Sequence, residues 1–129
     1  MFEKPEVLTL ASSLAAHAAT RQSAIARNVA NADTPGYRAQ DLPDFAETYR
    51  AEAGGALRQT RAGHLPSLGG TQDLTLSDRA GAGTLSPNGN GVSLETEMVK
   101  AADVKREHDM ALAIYSKSLS ILRASLGRR

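Results

Sequence analysis

The chain has 129 residues, a formal charge of +1 with acids and bases interspersed, 4% aromatic residues, no tryptophan and no cysteine. That length suits one modest domain. The near-neutral balance lacks the electrostatic footprint of nucleic-acid or anionic-membrane binding, and the cysteine count removes disulfides, thiolate nucleophiles and Cys-based metal sites.

From Pro5 to about Ala32, the residues Val7, Ala11, Leu14, Ala18, Ile25, Val29 and Ala32 recur at steps of three and four, interrupted by Gln22. That spacing predicts a long amphipathic helix over 5–32. Pro5 fits its first turn, where the missing N–H has no partner to lose, and Glu6 complements the positive helix end. No basic region followed by an apolar run opens the chain, so neither a cleaved secretory signal nor a membrane span is expected. Thr34 precedes Pro35 and is driven out of helical conformation, which stops the helix.

Thr34-Pro35-Gly36-Tyr37 reads as a type II turn, with Pro35 fixing φ at the first central position and Gly36 supplying positive φ at the second. A short helix is expected from Asp41 to about Ala53, within a turn-plus-helix unit over 33–53. Residues 51–91 hold nine of the eleven glycines, so 54–91 is expected to be a glycine-rich loop with a small β-hairpin around Asp73 to Ser77.

The last segment, 93–127, places Leu94, Met98, Ala101, Lys105, His108, Leu112, Tyr115, Leu119, Leu122 and Leu126 at alternating steps of four and three. This is a heptad seam. Ser93 is the expected N-cap, with Glu95 and Glu97 in the first turn and arginines at the C-terminal end. The fold class is therefore all-α: two long terminal helices forming an antiparallel, coiled-coil-like hairpin around an irregular glycine-rich middle. Few large side chains are available to such a pair, so the monomer is expected to be marginal and to gain structure on association.

The chemistry-bearing residues are sparse. His17, His64 and His108 have no second ligand at metal spacing. His17 is expected on a helix surface, and His108 beside Lys105 at a seam position where a polar pair sets register. Glu95, Glu97, Asp103, Glu107 and Asp109 read as a solvated helix face. No nucleophile elbow, phosphate loop or dinucleotide fingerprint occurs, so no catalytic group, cofactor or metal is assigned. A hydrolase built on His64 or His108 would lack a second catalytic group at defined spacing.

Asn28-Val29-Ala30-Asn31-Ala32-Asp33-Thr34-Pro35-Gly36-Tyr37 is, on physics alone, a helix stop. It also resembles the signature of the flagellar axial proteins of the rod, hook and hook-associated family, in which an N-terminal helix ends in Asn-x-Ala-Asn before Thr-Pro-Gly-Tyr. Arg38 to Asp41 with Phe45, Thr60 with His64-Leu65, and Asn90 to Met98 are similar to the rod members of that family in the same order. The resemblance implies a non-enzymatic subunit of the proximal rod, exported through the flagellar type III route without a cleaved signal and placed in the periplasmic space. Its implied partners are copies of itself, other rod proteins, and the inner-membrane ring and export gate, with no membrane insertion of its own. The implied assembly residues are Asn28, Asn31, Asp33, Thr34, Pro35, Gly36 and Tyr37 in the signature, and Leu94, Met98, Leu112, Tyr115, Leu119 and Leu122 on the last helix. A second proximal-rod protein of the family, or a coiled-coil adaptor or export chaperone, is the alternative.

Overall fold

The computed structural model describes residues 6–55, 76–78 and 85–127. Pro5, His64, the stretch from Asp73 to Thr75 and most of the glycine-rich middle lie outside these residues.

Helix α1 spans Glu6–Ala30. It closes earlier than the expected Ala32 because its last turn tightens: the Asn31 N–H reaches the carbonyls of both Arg27 and Asn28, and the Ala32 N–H that of Val29. The chain then turns at 34–37, where the Tyr37 N–H donates to the Thr34 carbonyl at 3.3 Å and Gly36 takes φ +71°. Strand β1, Gln40–Asp41, pairs antiparallel with β2, Ser77–Asp78, in the register Gln40 to Asp78 and Asp41 to Ser77. This is a pairing across 36 residues of chain, and the small hairpin expected around Asp73 to Ser77 lies largely outside the described residues. Helix α2 covers Phe45–Gly55. It starts four residues after the expected Asp41, which is held extended in β1, and its first turn hangs on the Asp44 carbonyl.

Helix α3 spans Leu94–Ser125, 32 residues and about 48 Å. It runs antiparallel to α1, since Asn28 bonds Glu97 near one end while Ala11 and Ala111 line one groove towards the other. The apolar centre is narrow: Ala18, Ile25 and Val104, with Ala101 packed against them. Ala11 and Ala111, which line one groove between the helices, are buried further along.

Ala11, Ala18 and Ile25 of the expected α1 seam are buried and Ala101 of the expected α3 seam packs on the core, while one of the two α3 columns is displaced by one residue. On α3 the buried column is Glu97, Val104 and Ala111, whereas Leu94, Met98 and Leu112 are exposed and Ala101, His108, Leu119 and Leu122 are half-buried. On α1, Asn28 is buried where Val29 was expected, and Val7 is exposed. Alanines on α1 let the backbones approach closely, and a close approach selects the slender Ala/Val column over the bulkier Leu/Met column beside it. Ser93 occupies the N-cap position without capping by its side chain; its hydroxyl accepts from Thr96 instead.

So thin a core concentrates stability in few residues. Ile25→Ala should lower unfolding free energy by about 2–4 kcal/mol, whereas Leu126→Ala, at a position 84% exposed, should change it by less than about 0.5 kcal/mol. Urea denaturation of both variants checks the contrast.

Candidate assembly junction

The signature segment folds so that Asn28 points inwards and its turn faces outwards. Asn28, on the last turn of α1, is fully buried. Its amide nitrogen donates to the Gln40 carbonyl at 2.8 Å and to Glu97 Oε2 at 2.9 Å. Its amide oxygen accepts from the Gln40 N–H at 3.0 Å and from the Tyr37 hydroxyl at 3.2 Å. An asparagine side chain has two donor hydrogens and two lone pairs, and all four are used. One residue thereby ties α1 to the turn, to β1 and to α3.

Asn90 is the second tie. It is buried, and its amide donates to the carbonyls of Asn31 at 2.9 Å and Thr34 at 2.7 Å while its oxygen accepts from the Val92 N–H at 2.7 Å. Both carbonyls belong to the turn after α1, where they also accept from the Thr34 and Tyr37 N–H groups. Two backbone bonds flank it, Gly91 N–H to Tyr37 O at 2.9 Å and Gly36 N–H to Asn88 O at 3.2 Å. The loop before α3 is therefore laced to the turn after α1. Asn31 closes locally, donating to Arg27 O at 2.8 Å and accepting from the Thr34 hydroxyl. Asp33, Thr34, Pro35 and Gly36 are exposed and Tyr37 is half-buried.

A line of alternating charge continues from this tie. Lys100 Nζ lies 2.9 Å from Glu97 and 3.4 Å from Asp41, and Arg21 Nε lies 2.9 Å from Asp41, with its Nη1 at 3.6 Å from Asp44. Burial alone would raise the Asp41 carboxyl's pKa. The hydrogen bond and charge of Arg21, the Leu42 N–H at 2.8 Å and the charge of Lys100 outweigh it and hold the group below the usual aspartate value. Arg21 is held above the ordinary guanidinium value: burial opposes its charge, and Asp41, Asp44 and Glu107 more than compensate.

Two residues thus depart from their expected surroundings. Glu97, expected on a solvated face, is buried because Asn28 and Lys100 satisfy its two oxygens. His17, expected at the surface, is fully buried: its Nε2 donates to the Pro43 carbonyl at 2.9 Å, and its ring meets Phe45 edge-on at 5.6 Å. The side chain pins the 40–45 arm onto α1. His108 is half-buried, with Nδ1 4.0 Å from Asp109. Arg21, Asp41, Lys100 and Asn90 had no assembly role in the sequence reading. The signal available for Arg21 and Asn28 was their spacing of seven, which continues the column of Val7 and Leu14 with polar residues.

On α3, Leu94, Met98, Leu112 and Tyr115 remain exposed and Leu119 and Leu122 are half-buried. Among the described residues no cluster of His, Cys, Asp or Glu could hold a metal, and no helix is long and apolar enough to cross a membrane. The arrangement can hold two helices, a turn and an arm in one register and present an apolar surface.

Residues 8–38, containing all but the first two residues of α1 and the whole turn, match the family described as flagella basal body rod protein. The chain is 32% identical over 107 residues to the flagellar basal body rod protein FlgB of Cereibacter sphaeroides strain ATCC 17023, covering 83% of each chain. It is 34% identical over 109 residues to that of Salmonella typhimurium strain LT2, covering 78% of each, and 33% identical over 106 residues to that of Escherichia coli strain K12, covering 76% of each.

Removing the Asn28 side chain leaves Glu97 and both backbone groups of Gln40 without these partners. Asn28→Ala should therefore cost about 2–4 kcal/mol in urea unfolding, against less than about 1 kcal/mol for Asn31→Ala. The Asp41 contribution carries a pH signature. A carboxyl with a depressed folded pKa contributes stability fully present above its unfolded value of about 3.9, and this is lost as pH falls through the lower folded value. Unfolding followed between about pH 5 and pH 2 should fall less steeply in Asp41→Asn than in the parent chain.

Proposed function

The chain belongs to the flagellar basal body rod protein family and is a component of that rod, and from this premise we propose that it is a structural subunit of the rod's proximal segment. In this reading it is exported without a cleaved signal and works on the periplasmic side of the inner membrane. There it joins the inner-membrane ring and export gate to the rest of the rod and passes torque along it. Copies and relatives pack side by side through the two terminal helices. Asn28 and Asn31 hold the end of α1 in shape, Asp33 to Tyr37 form a contact loop, and Leu94, Met98, Leu112, Tyr115, Leu119 and Leu122 contribute to the lateral surface.

The observation that carries the reading is the unburied apolar surface of α3. Met98 is 65% exposed and Ile121 68% exposed, on a helix whose own partner covers only a narrow column. A free-standing hairpin leaves that surface in water, and an assembly of parallel subunits removes it.

Sedimentation velocity and circular dichroism, recorded over a concentration series and on adding other rod proteins, test the reading. Association accompanied by a rise in helicity and thermal stability is the expected result. A concentration-independent, cooperatively melting dimer that ignores rod proteins would instead favour the adaptor or export chaperone. The contact loop makes a separate prediction. A Cβ on Gly36 would meet nothing within 4 Å, so the obstacle is its positive φ alone. Gly36→Val should cost about 1–2 kcal/mol and lower incorporation into basal bodies about tenfold, and Gly36→Asn, which tolerates that conformation, should restore most of it.

A further inference from the structure

Two residues apart on a helix means about 200° around it, so Leu112 and Ile114 lie on opposite edges of α3. The edges differ in shape. On the Leu112 edge, α1 and α3 leave an apolar groove of about 250 Å³ lined by Ala11, Ser12, Ala15, Ala111, Leu112 and Tyr115. Its depth comes from the alanines and Ser12, which leave room that larger residues would fill. On α1, Ala15 and His17 are likewise two residues apart: His17 faces the arm, and the groove lies on the edge the arm leaves free. On the other edge of α3, Met110, Ile114 and Ile121 stand exposed. Leu10, one heptad before His17, is exposed too.

Groove and ridge lie at the same height along α3, and the charges one heptad earlier match. Lys105, exposed, precedes Leu112 by seven residues on the groove edge. Asp103 precedes Met110 by seven on the ridge edge, with its side chain 57% exposed and Arg106 at 3.4 Å. Glu107 precedes Ile114 by seven and is half-buried. A sideways shift that seats Met110 and Ile114 of one copy at the groove of the next also brings Asp103 and Glu107 towards Lys105 of that copy.

Resting on the rod reading above, we infer that the lateral neighbour in this groove is a second copy of the chain, whose Met110–Ile114–Ile121 ridge enters between Ala15 and Leu112. The contact is heterologous: each copy offers a groove on one side and a ridge on the other. Repetition therefore extends an array instead of closing a two-fold dimer.

The cysteine-free sequence makes the contact directly readable. Full-length Ser12→Cys and Ile114→Cys chains carrying different tags are co-expressed in flagellated cells, and basal bodies are isolated and oxidised. The mixed disulfide should dominate over either homodimer. Lys105→Glu in the Ser12→Cys chain should lower the mixed yield about tenfold, and Asp103→Lys in the Ile114→Cys chain should recover it. Homodimers in excess, or no disulfide between copies that have entered basal bodies, would overturn the contact while leaving the rod reading standing. Failure of the cysteine-free parent chain to enter basal bodies would overturn both.

Discussion

Everything in the described structure leans on the saturated side chain of Asn28. A buried amide is costly unless both its donors and both its acceptor sites are engaged, and here each bond goes to something useful. Gln40 receives a donor and returns one, in the manner of a short strand pairing with a side chain. Tyr37 fixes the far end of the turn, and Glu97 fixes α3. Any shift of α3 along α1 would leave a buried amide facing a carboxylate at the wrong distance. The apolar contact of Ala18, Ile25 and Val104 would tolerate such a shift far better, because burial is not directional. Register in this pair is set by hydrogen bonds and adhesion by alanine packing.

The charged line from Arg21 through Asp41 and Lys100 to Glu97 extends that control to the arm. A lone buried Glu97 would be unstable, and a lone Lys100 would do better in solvent. Each is acceptable because the neighbouring charge alternates, and the alternation crosses from α1 to β1 to α3. His17 secures the same arm further along α1 by one bond to Pro43 and an edge contact with Phe45. The arm between Gln40 and Phe45 is thus held at both ends by groups from α1, and the turn at 34–37 is held by α1 and by the loop before α3. Asp33 to Gly36 can be exposed and still well placed, since the turn is held mainly through backbone groups: the Thr34 carbonyl, the Gly36 N–H and the Tyr37 carbonyl.

Much of this was legible in the sequence and some of it was systematically displaced. The two long helices, their antiparallel packing and the turn with Gly36 at positive φ follow from periodicity, Pro35 and Gly36, whose effects are local. What failed was the choice of one of the two columns on α3, since Ala11, Ala18 and Ile25 on α1 are buried as expected. Apolar periodicity ranks columns by hydrophobicity, which favours Met98 and Leu112, and it discounts the column of Glu97, Val104 and Ala111 because one member is an acid. The structure uses that column because Asn28 neutralises the objection from 69 residues away. Periodicity sees one helix at a time and has no access to a partner of that kind. For the same reason His17 reads as a surface residue until Pro43 and Phe45 are placed over it.

The displaced column has a consequence for how the molecule divides its apolar residues. A hairpin that used its Leu/Met column internally would hide its largest side chains and present alanine and charge to neighbours. By spending Ala, Val and a satisfied polar pair on the internal contact, this chain keeps Leu94, Met98, Leu112 and Ile121 on the outside. Burying such a side chain is worth about 1.5–3 kcal/mol, so these four exposed side chains, on both edges of α3, outweigh the few large residues within. The internal network is directional and modest in energy, which suits a part that must have one shape. The outer columns are non-directional and large in energy, which suits surfaces that act only when a neighbour arrives.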